Sequence, residues 1–225
     1  MALNSENPPT SRKRGGRPSA EQAGEVDRRI LDAATVLFLR AGFDATSCDQ
    51  VLALAGAGKA TLYARYANKD ALFSAVVRRM VEQRTQPEAD IPWDIPVRER
   101  LRLVGISLLQ HTLSEESIAL MRICIATAQR LPELSELVDR QARDGAVACL
   151  VRALAGQAPA PGKTELATAI AERFIDMVLV PQQMRALIGG DRVRLDAAAA
   201  SGVEDAIALL ERAGLLEAFG GGQDT

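Results

Sequence analysis

Thr46-Ser-Cys-Asp-Gln-Val-Leu-Ala-Leu-Ala-Gly-Ala-Gly-Lys-Ala-Thr-Leu-Tyr-Ala-Arg-Tyr-Ala-Asn-Lys-Asp-Ala-Leu-Phe73 divides into two short helices, a glycine turn between them, and the start of a third. Ser47 and Gln50 stand in the S-x-x-Q relation of a capping box, in which side chains satisfy helix-end amides reciprocally, so a helix is predicted to start at about Cys48. Val51, Leu52 and Ala55 give it one apolar stripe, and Gly56 can close it in the left-handed conformation that glycine adopts without penalty. After Gly56-Ala57-Gly58 a second helix is expected from Lys59 to Tyr66, with Gly58 as a tolerable N-cap. Leu62 and Tyr66 share one face of it, while Lys59, Thr61, Tyr63 and Arg65 point elsewhere. Asn68 caps the next helix, and Asp70 is favourable in its first turn.

A helix with two or three inward apolar residues cannot stand alone, so a neighbour must pin it. Ile30, Ala33, Ala34, Leu37, Phe38 and Ala41 recur at helical spacing over residues 26–41, and Gly42 closes that segment before Phe43. The sum is a three-helix unit whose third helix keeps a polar outer face, the geometry in which a recognition helix enters the major groove. This is a helix-turn-helix, and it makes DNA the first candidate partner. Gly56-Ala-Gly-Lys-Ala-Thr61 imitates a phosphate-cradling loop but fails its pattern. The motif G-x-x-x-x-G-K-[ST] needs glycine at position 53 and a hydroxyl at 60, where the chain has Ala53 and Ala60, and it needs a preceding strand.

Ile30-Leu-Asp-Ala-Ala-Thr-Val-Leu-Phe38, Ala41-Gly-Phe43, Thr46-Ser47, Ala55-Gly56, Lys59-Ala-Thr-Leu-Tyr63 and Asn68-Lys-Asp-Ala-Leu-Phe73 resemble the amino-terminal domain of TetR-type transcriptional regulators. The resemblance covers roughly residues 24–84, with the twenty-residue DNA-binding motif at Ser47 through Tyr66. It departs from the common pattern at Gly58, where serine is usual, at Ala60, where glycine is usual, and at Arg65, where histidine is frequent. Those positions are where operator preference should differ from relatives. Thr46, Ser47, Tyr63 and Lys69 are expected to position phosphates, and Lys59, Ala60, Thr61 and Arg65 to face the groove, with Tyr66 also in the DNA-binding set. Lys59 or Arg65 could donate to guanine, and the methyl groups of Ala60 and Thr61 could meet thymine. Leu62 is assigned to structure.

Charge is divided along the chain. The first 85 residues hold 13 Lys and Arg against 9 Asp and Glu, whereas the remainder is acidic enough to bring the whole to a net −2. A basic front and an acidic rear suit a protein that touches phosphates with one end. Residues 1–20 are rich in Ser, Pro, Gly and base around Arg12-Lys-Arg-Gly-Gly-Arg-Pro18, a composition that cannot bury a core and is expected to be disordered. Gly16-Arg17-Pro18 resembles the heart of an AT-hook, so Arg17 is a candidate minor-groove contact, with a solvated tail as the alternative.

The rear, residues 86–220, has helical composition: the chain is 48% hydrophobic but only 4% aromatic. A fourth helix carrying Leu72, Phe73, Val76, Val77 and Met80 runs out of the front unit to about Gln86. Further helices are predicted over 98–112, 115–130, 132–154, 164–188 and 203–218, with start signals at Ser114, Pro132 and Thr164 and stops at Gly189-Gly190 and Gly220 to Gly222. The fold class is therefore all-α, with about nine helices.

The segments Ala119–Leu134 and Phe174–Ile188 are similar, more weakly, to a subgroup of the same family. The resemblance implies that the last two long helices pair across a two-fold axis into a homodimer. Leu166, Ile170, Phe174, Met177, Val178, Leu187 and Ile188, with Val203, Ile207, Leu210 and Leu216, offer the stripes, and a monomer core is the alternative. It also implies a palindromic operator in double-stranded DNA, and release of that operator by an unknown small-molecule effector held among the rear helices. Met80, Trp93, His111, Met121, Cys124 and Met177 are the candidate ligand-binding residues, each equally at home in a core.

Other functions find little support. One histidine and three cysteines, Cys48, Cys124 and Cys149, form no C-x-x-C, H-E-x-x-H or G-x-S-x-G pattern, so neither catalysis nor a cofactor or metal is expected. The alternatives are an all-helical enzyme or interaction scaffold, or a redox-responsive regulator using Cys48 or Cys124. The first residues lack a charged and an apolar leader region, and no run of 18 apolar residues occurs, so a cytoplasmic protein without membrane contact is expected.

Overall fold

The computed structural model describes residues 20–83, 92, 94–156 and 161–219. Among these the chain is helical throughout: α1 (Ala20–Ala41), α2 (Cys48–Ala55), α3 (Lys59–Tyr63), α4 (Lys69–Gln83), α5 (Val97–Thr112), α6 (Glu115–Thr127), α7 (Pro132–Ala155), α8 (Pro161–Phe174), a π turn (Ile175–Leu179), α9 (Val180–Leu187), α10 (Arg192–Arg212) and a final 3-10 turn (Glu217–Phe219). Backbone angles stay helical across both edges of the π turn, so α8, the turn and α9 form one rod. The described residues thus hold nine helical rods, the number expected.

Local chemistry sets most boundaries. The Ser47 hydroxyl accepts from the Gln50 amide at 3.2 Å, the Ser47 amide donates to Gln50 Oε1 at 2.8 Å, and α2 starts at Cys48 as predicted. Gly56 ends it at φ 60°, ψ 41°, a conformation in which a Cβ is strained. Asn68 Oδ1 accepts from the Ala71 amide at 2.8 Å, Ser114 caps α6, and Pro132 opens α7. Three helix starts differ from expectation by more than one residue. α1 begins at Ala20, inside the segment expected to be disordered, and α10 begins at Arg192 rather than Val203. Alanines fill the added segments, at Ala20 and Ala23 of α1 and at Ala197 to Ala200 of α10, and alanine has high helix propensity but little hydrophobic periodicity. α8 begins at Pro161, which leaves Thr164 inside the helix instead of at its cap.

The front core joins Ile30, Phe38, Val51, Leu62, Leu72 and Phe73 to residues from the rear, including Leu120, Ile123 and Cys124 of α6 and Leu134 and Val138 of α7. The two halves therefore share apolar packing instead of meeting at a loose hinge. The rear core is built on α5, α7, the α8 rod and α10, and one close approach within it admits only glycine. A Cβ on Gly105 would stand 2.8 Å from Cζ of Phe174, which is fully buried.

That rear core corrects the expected dimer stripes. Ile170, Phe174, Val178, Val203, Ile207, Leu210 and Leu216 are buried within one chain, because α10 packs directly on the π turn and α9. Of the expected set, Met177 and Ile188 remain exposed, and Val180, Met184 and Leu209 join them. Met177, Val180, Met184 and Ile188 recur every three or four residues, so they form one apolar line along the outside of the rod.

Candidate nucleic-acid interface

The head is held together by polar side chains that turn inward. Thr46 is 2% exposed, and its hydroxyl donates to the carbonyls of Gly42 at 2.8 Å and Leu37 at 3.2 Å. It stitches the end of α1 to the loop before α2. Lys69, the first residue of α4, sends its ammonium back to the same loop, where it donates to the Phe43 carbonyl at 2.9 Å and the Thr46 carbonyl at 3.0 Å. It also stands 4.3 Å from the Phe43 ring centre. Phe43 in turn packs with Phe38 and Phe73, with ring centres 5.1 to 5.9 Å apart. Thr46 and Lys69, both expected to position phosphates, thus also pin the head, with their donors held by backbone carbonyls.

A second pin fixes the far end of the motif. Asp27 of α1 accepts the Tyr66 hydroxyl at 2.9 Å and pairs with the Arg65 guanidinium at 2.8 Å. Burial, then the hydrogen bond to Asp27 and its charge, push the Tyr66 phenol up to about 12, so it stays a proton donor at any physiological pH. Regular α3 is shorter than expected, Lys59–Tyr63, and the chain leaves it through a turn in which the Arg65 and Tyr66 amides both donate to Leu62 O. That turn carries Arg65 and Tyr66 back toward α1. Arg65 and Tyr66, expected to face the groove and to contact DNA, are thus held to α1 through Asp27, with Arg65 still exposed at the surface.

What the pins leave outward is compact. Ser47, Lys59, Ala60 and Tyr63 are exposed, Thr61 is half-buried, and Leu62 is buried beneath them. Tyr63 is 50% exposed, and its hydroxyl has no partner among the described residues. Lys59 reaches Asp49 on α2 at 2.9 Å, and the hydrogen bond to Asp49 and its negative charge raise the ammonium pKa. Both side chains are about two-thirds exposed, so the pair is weakly held and a phosphate can displace Asp49. Sequence reasoning overlooked Asp27 and Asp49, because neither lies within a helical turn of its partner. Arg17 lies outside the described residues.

The head is tied to the rear through α6. Arg130, just past its end, donates to Asp70 Oδ2 from Nε at 3.1 Å and from a terminal nitrogen at 2.9 Å, and lies 5.0 Å from the Phe43 ring centre. Arg122, two turns earlier, donates to the Ala186 carbonyl at 2.8 Å and the Leu187 carbonyl at 3.1 Å, so it caps α9. Helix α6 is thus hooked to the rod from its middle and to the head just past its end.

On the N-terminal side of the Arg122 hook, α6 forms through Ser117, Leu120 and Met121 one wall of a 200 Å³ cleft whose other walls are α4, α5, α7, the π turn and α9. His111 and Met121 line it, as expected of ligand-binding residues. Met80 and Cys124 do not: both are buried in the front core, and Met177 faces outward from the rod. Trp93 lies outside the described residues. Sequence reasoning missed Arg143, which lines the cleft and pairs with Asp176 of the π turn at 3.1 Å, because nothing in its spacing marks it. A π turn inside an α-helix often marks a functional site, and this one supplies cleft wall. Cys124 is 3% exposed, a poor position for a thiol that must meet an oxidant, while Cys48 is half-buried at the start of α2. No group of three or more His, Cys, Asp or Glu that could hold a metal occurs among the described residues, and none of their helices is long and apolar enough to cross a membrane.

Comparison with known proteins agrees with this geometry. Residues 30–76 match the family model for bacterial regulatory proteins of the tetR family, and residues 99–213 match that for the AefR-like transcriptional repressor, C-terminal domain. YhgD of Bacillus subtilis, an HTH-type transcriptional regulator, is 34% identical over 89 residues, which are 38% of this chain and 46% of that protein. YvaF of the same organism, also an HTH-type transcriptional regulator, is 39% identical over 87 residues, 38% of this chain and 45% of that one. The chain therefore spans just under half the length of these two relatives. A TetR-family regulator of solved structure from Mesorhizobium loti superposes with a TM-score of 0.60 at 24% identity, over 84% of this chain and 98% of its own, which shows the shared fold. Matched at both its reading head and its rear domain, the chain belongs to the tetR family of bacterial transcriptional regulators.

Proposed function

We propose that this protein is a non-enzymatic repressor that binds a palindromic operator as a homodimer in the bacterial cytoplasm and lets go when a small molecule enters the α6 cleft. The observation that carries the reading is the division of labour in the head. Four polar side chains, Thr46, Lys69, Arg65 and Tyr66, fix the motif internally, and the outward face of Lys59, Ala60, Thr61 and Tyr63 is left for DNA. Ser47 and Tyr63 hydroxyls position phosphates, Lys59 reaches a phosphate or a guanine edge, and the methyl groups of Ala60 and Thr61 meet thymine. Arg17 in the basic leader adds a minor-groove contact.

One reading helix covers few base pairs, so two-fold symmetry is needed for affinity. The apolar line Met177, Val180, Met184 and Ile188 suits contact with a second copy, and Ile188 is 79% exposed. Half-sites would then lie about 10 base pairs or a small multiple apart, with reading helices about 34–36 Å apart or more. The α6 hooks supply a route for release, because a ligand that displaces α6 also displaces the Arg130 contact to α4. Repression, as against activation, is favoured by the likeness of residues 99–213 to a repressor domain.

A gel shift with duplexes selected from a random pool tests this reading. Affinity should fall steeply between about 50 and 200 mM salt, as phosphate contacts require. Sedimentation of the complex should find two chains per duplex. No selected duplex, or an affinity indifferent to salt, would overturn it.

A further inference from the structure

We infer that the α6 cleft takes a short aliphatic carboxylate, with its charged end on Arg143, which lines the cleft, in exchange for Asp176 as the partner of that guanidinium. The inference rests on the reading of that cleft as the effector site and adds the chemical class of the ligand.

Size is the first observation. At 200 Å³ the cleft is below the ~300 Å³ at which sites for drug-sized ligands usually begin. Shape chemistry is the second. Leu108, Leu120, Ile175 and Leu179 give it branched aliphatic walls, and among the described residues that line it none carries a phenyl, phenol or indole ring on which a flat aromatic ligand could stack.

Charge is the third. Arg143 engages Asp176 Oδ1 through one nitrogen at 3.1 Å, and the two side chains are 43% and 60% exposed. A surface pair made through one nitrogen is worth little. The planar guanidinium can instead hold a ligand carboxylate by two parallel hydrogen bonds, while Asp176 turns into solvent. Asp139 also lines the cleft, four residues before Arg143 on α7, so a second anion is accommodated by exchange for Asp176 and not by simple addition. Because Asp176 belongs to the π turn, the exchange also releases that turn from α7. The turn continues into α9, whose end is capped by Arg122 of α6, so the exchange reaches the helix that holds the head.

Calorimetric titration of the full-length protein with butyrate, hexanoate, octanoate, hexanol and hexylamine tests the inference without DNA. Hexanoate should bind more tightly than hexanol or hexylamine. Arg143→Gln should weaken hexanoate by about 10- to 100-fold, the usual worth of a charge-assisted hydrogen bond. Asp176→Asn should tighten it by about two- to fivefold, because the competing carboxylate is gone. Equal or better binding of hexanol or hexylamine, no binding of any carboxylate, or unchanged affinity in Arg143→Gln would overturn the proposal. Should Arg143→Gln fail to fold, Asp176→Asn decides, and unchanged or weaker hexanoate binding there counts against it. A gel shift run separately distinguishes the two readings. Hexanoate that binds through Arg143 yet leaves DNA bound supports the ligand class and refutes its role in release. Release of DNA by another compound, with no carboxylate bound, refutes the ligand class alone.

Discussion

The head and the α6 cleft use charged side chains in opposite ways. In the head, Lys69 and Tyr66 are tied to carbonyls and a carboxylate in partly buried surroundings, so removing Lys69 leaves two carbonyls without their donor and removing the Tyr66 hydroxyl leaves Asp27 to Arg65 alone. In the cleft, Arg143 and Asp176 meet through a single contact with both side chains largely in water. One region is locked and presents a fixed surface. The other is loosely held and can exchange a partner. A regulator needs both, since a reader that deforms loses register with its half-sites and a sensor that cannot rearrange transmits nothing.

This contrast can be broken most severely at Lys69. Lys69→Met removes two charge-assisted hydrogen bonds and a ring contact, and urea unfolding should show a loss of about 2–3 kcal/mol. A loss near zero would mean that the head is not pinned. On the rear side of the comparison, Gly105→Ala places a methyl group against Phe174 and should cost about 1–3 kcal/mol by overpacking, without touching either polar region.

Tyr66→Phe should cost about 1 kcal/mol near neutral pH. It should also change the alkaline limb. The folded phenol keeps its proton to about 12 while the unfolded one releases it near 10.0, so its contribution is complete below 10.0 and is lost as pH rises toward 12. Unfolding curves of the wild type should therefore weaken across that window, and those of Tyr66→Phe should lack this component. The smallest stability effect is expected at Arg130→Ala, about 0–1 kcal/mol, because the Arg130 side of the pair with Asp70 is 55% exposed. Its consequence should appear instead in a ligand titration of the DNA complex, where release is blunted although melting is nearly unchanged. Full release in that variant would remove Arg130 from the coupling route.

Much of the head was legible in the sequence because its signals are local. The capping box at Ser47 and Gln50, the left-handed Gly56 and the Asn68 cap each act within four residues, and all three stand where the sequence put them. The side-chain roles were less legible. Thr46 and Lys69 carry donors suited to phosphates, and only the path of the loop from Gly42 to Thr46 shows that carbonyls take those donors first. Tyr66 and Asp27 are 39 residues apart, and Arg130 and Asp70 are 60 apart, so no periodicity links them. In the rear, helical spacing found the stripes correctly but could not say which side of the rod meets α10. Phe174 and Val178 proved to be core, and Met184, unremarked, is exposed. The π turn that lines the cleft has no composition of its own to announce it.

The central claim is that the outward face of α3 reads DNA while the inward polar side chains only hold it. Fluorescence anisotropy on a selected operator duplex, with Lys59→Ala/Tyr63→Ala beside the wild type and melting curves for both, tests it most directly. Two lost contacts at roughly 1–3 kcal/mol each should weaken the operator complex at least about tenfold, with melting unchanged. Wild-type affinity in that double variant would contradict the account.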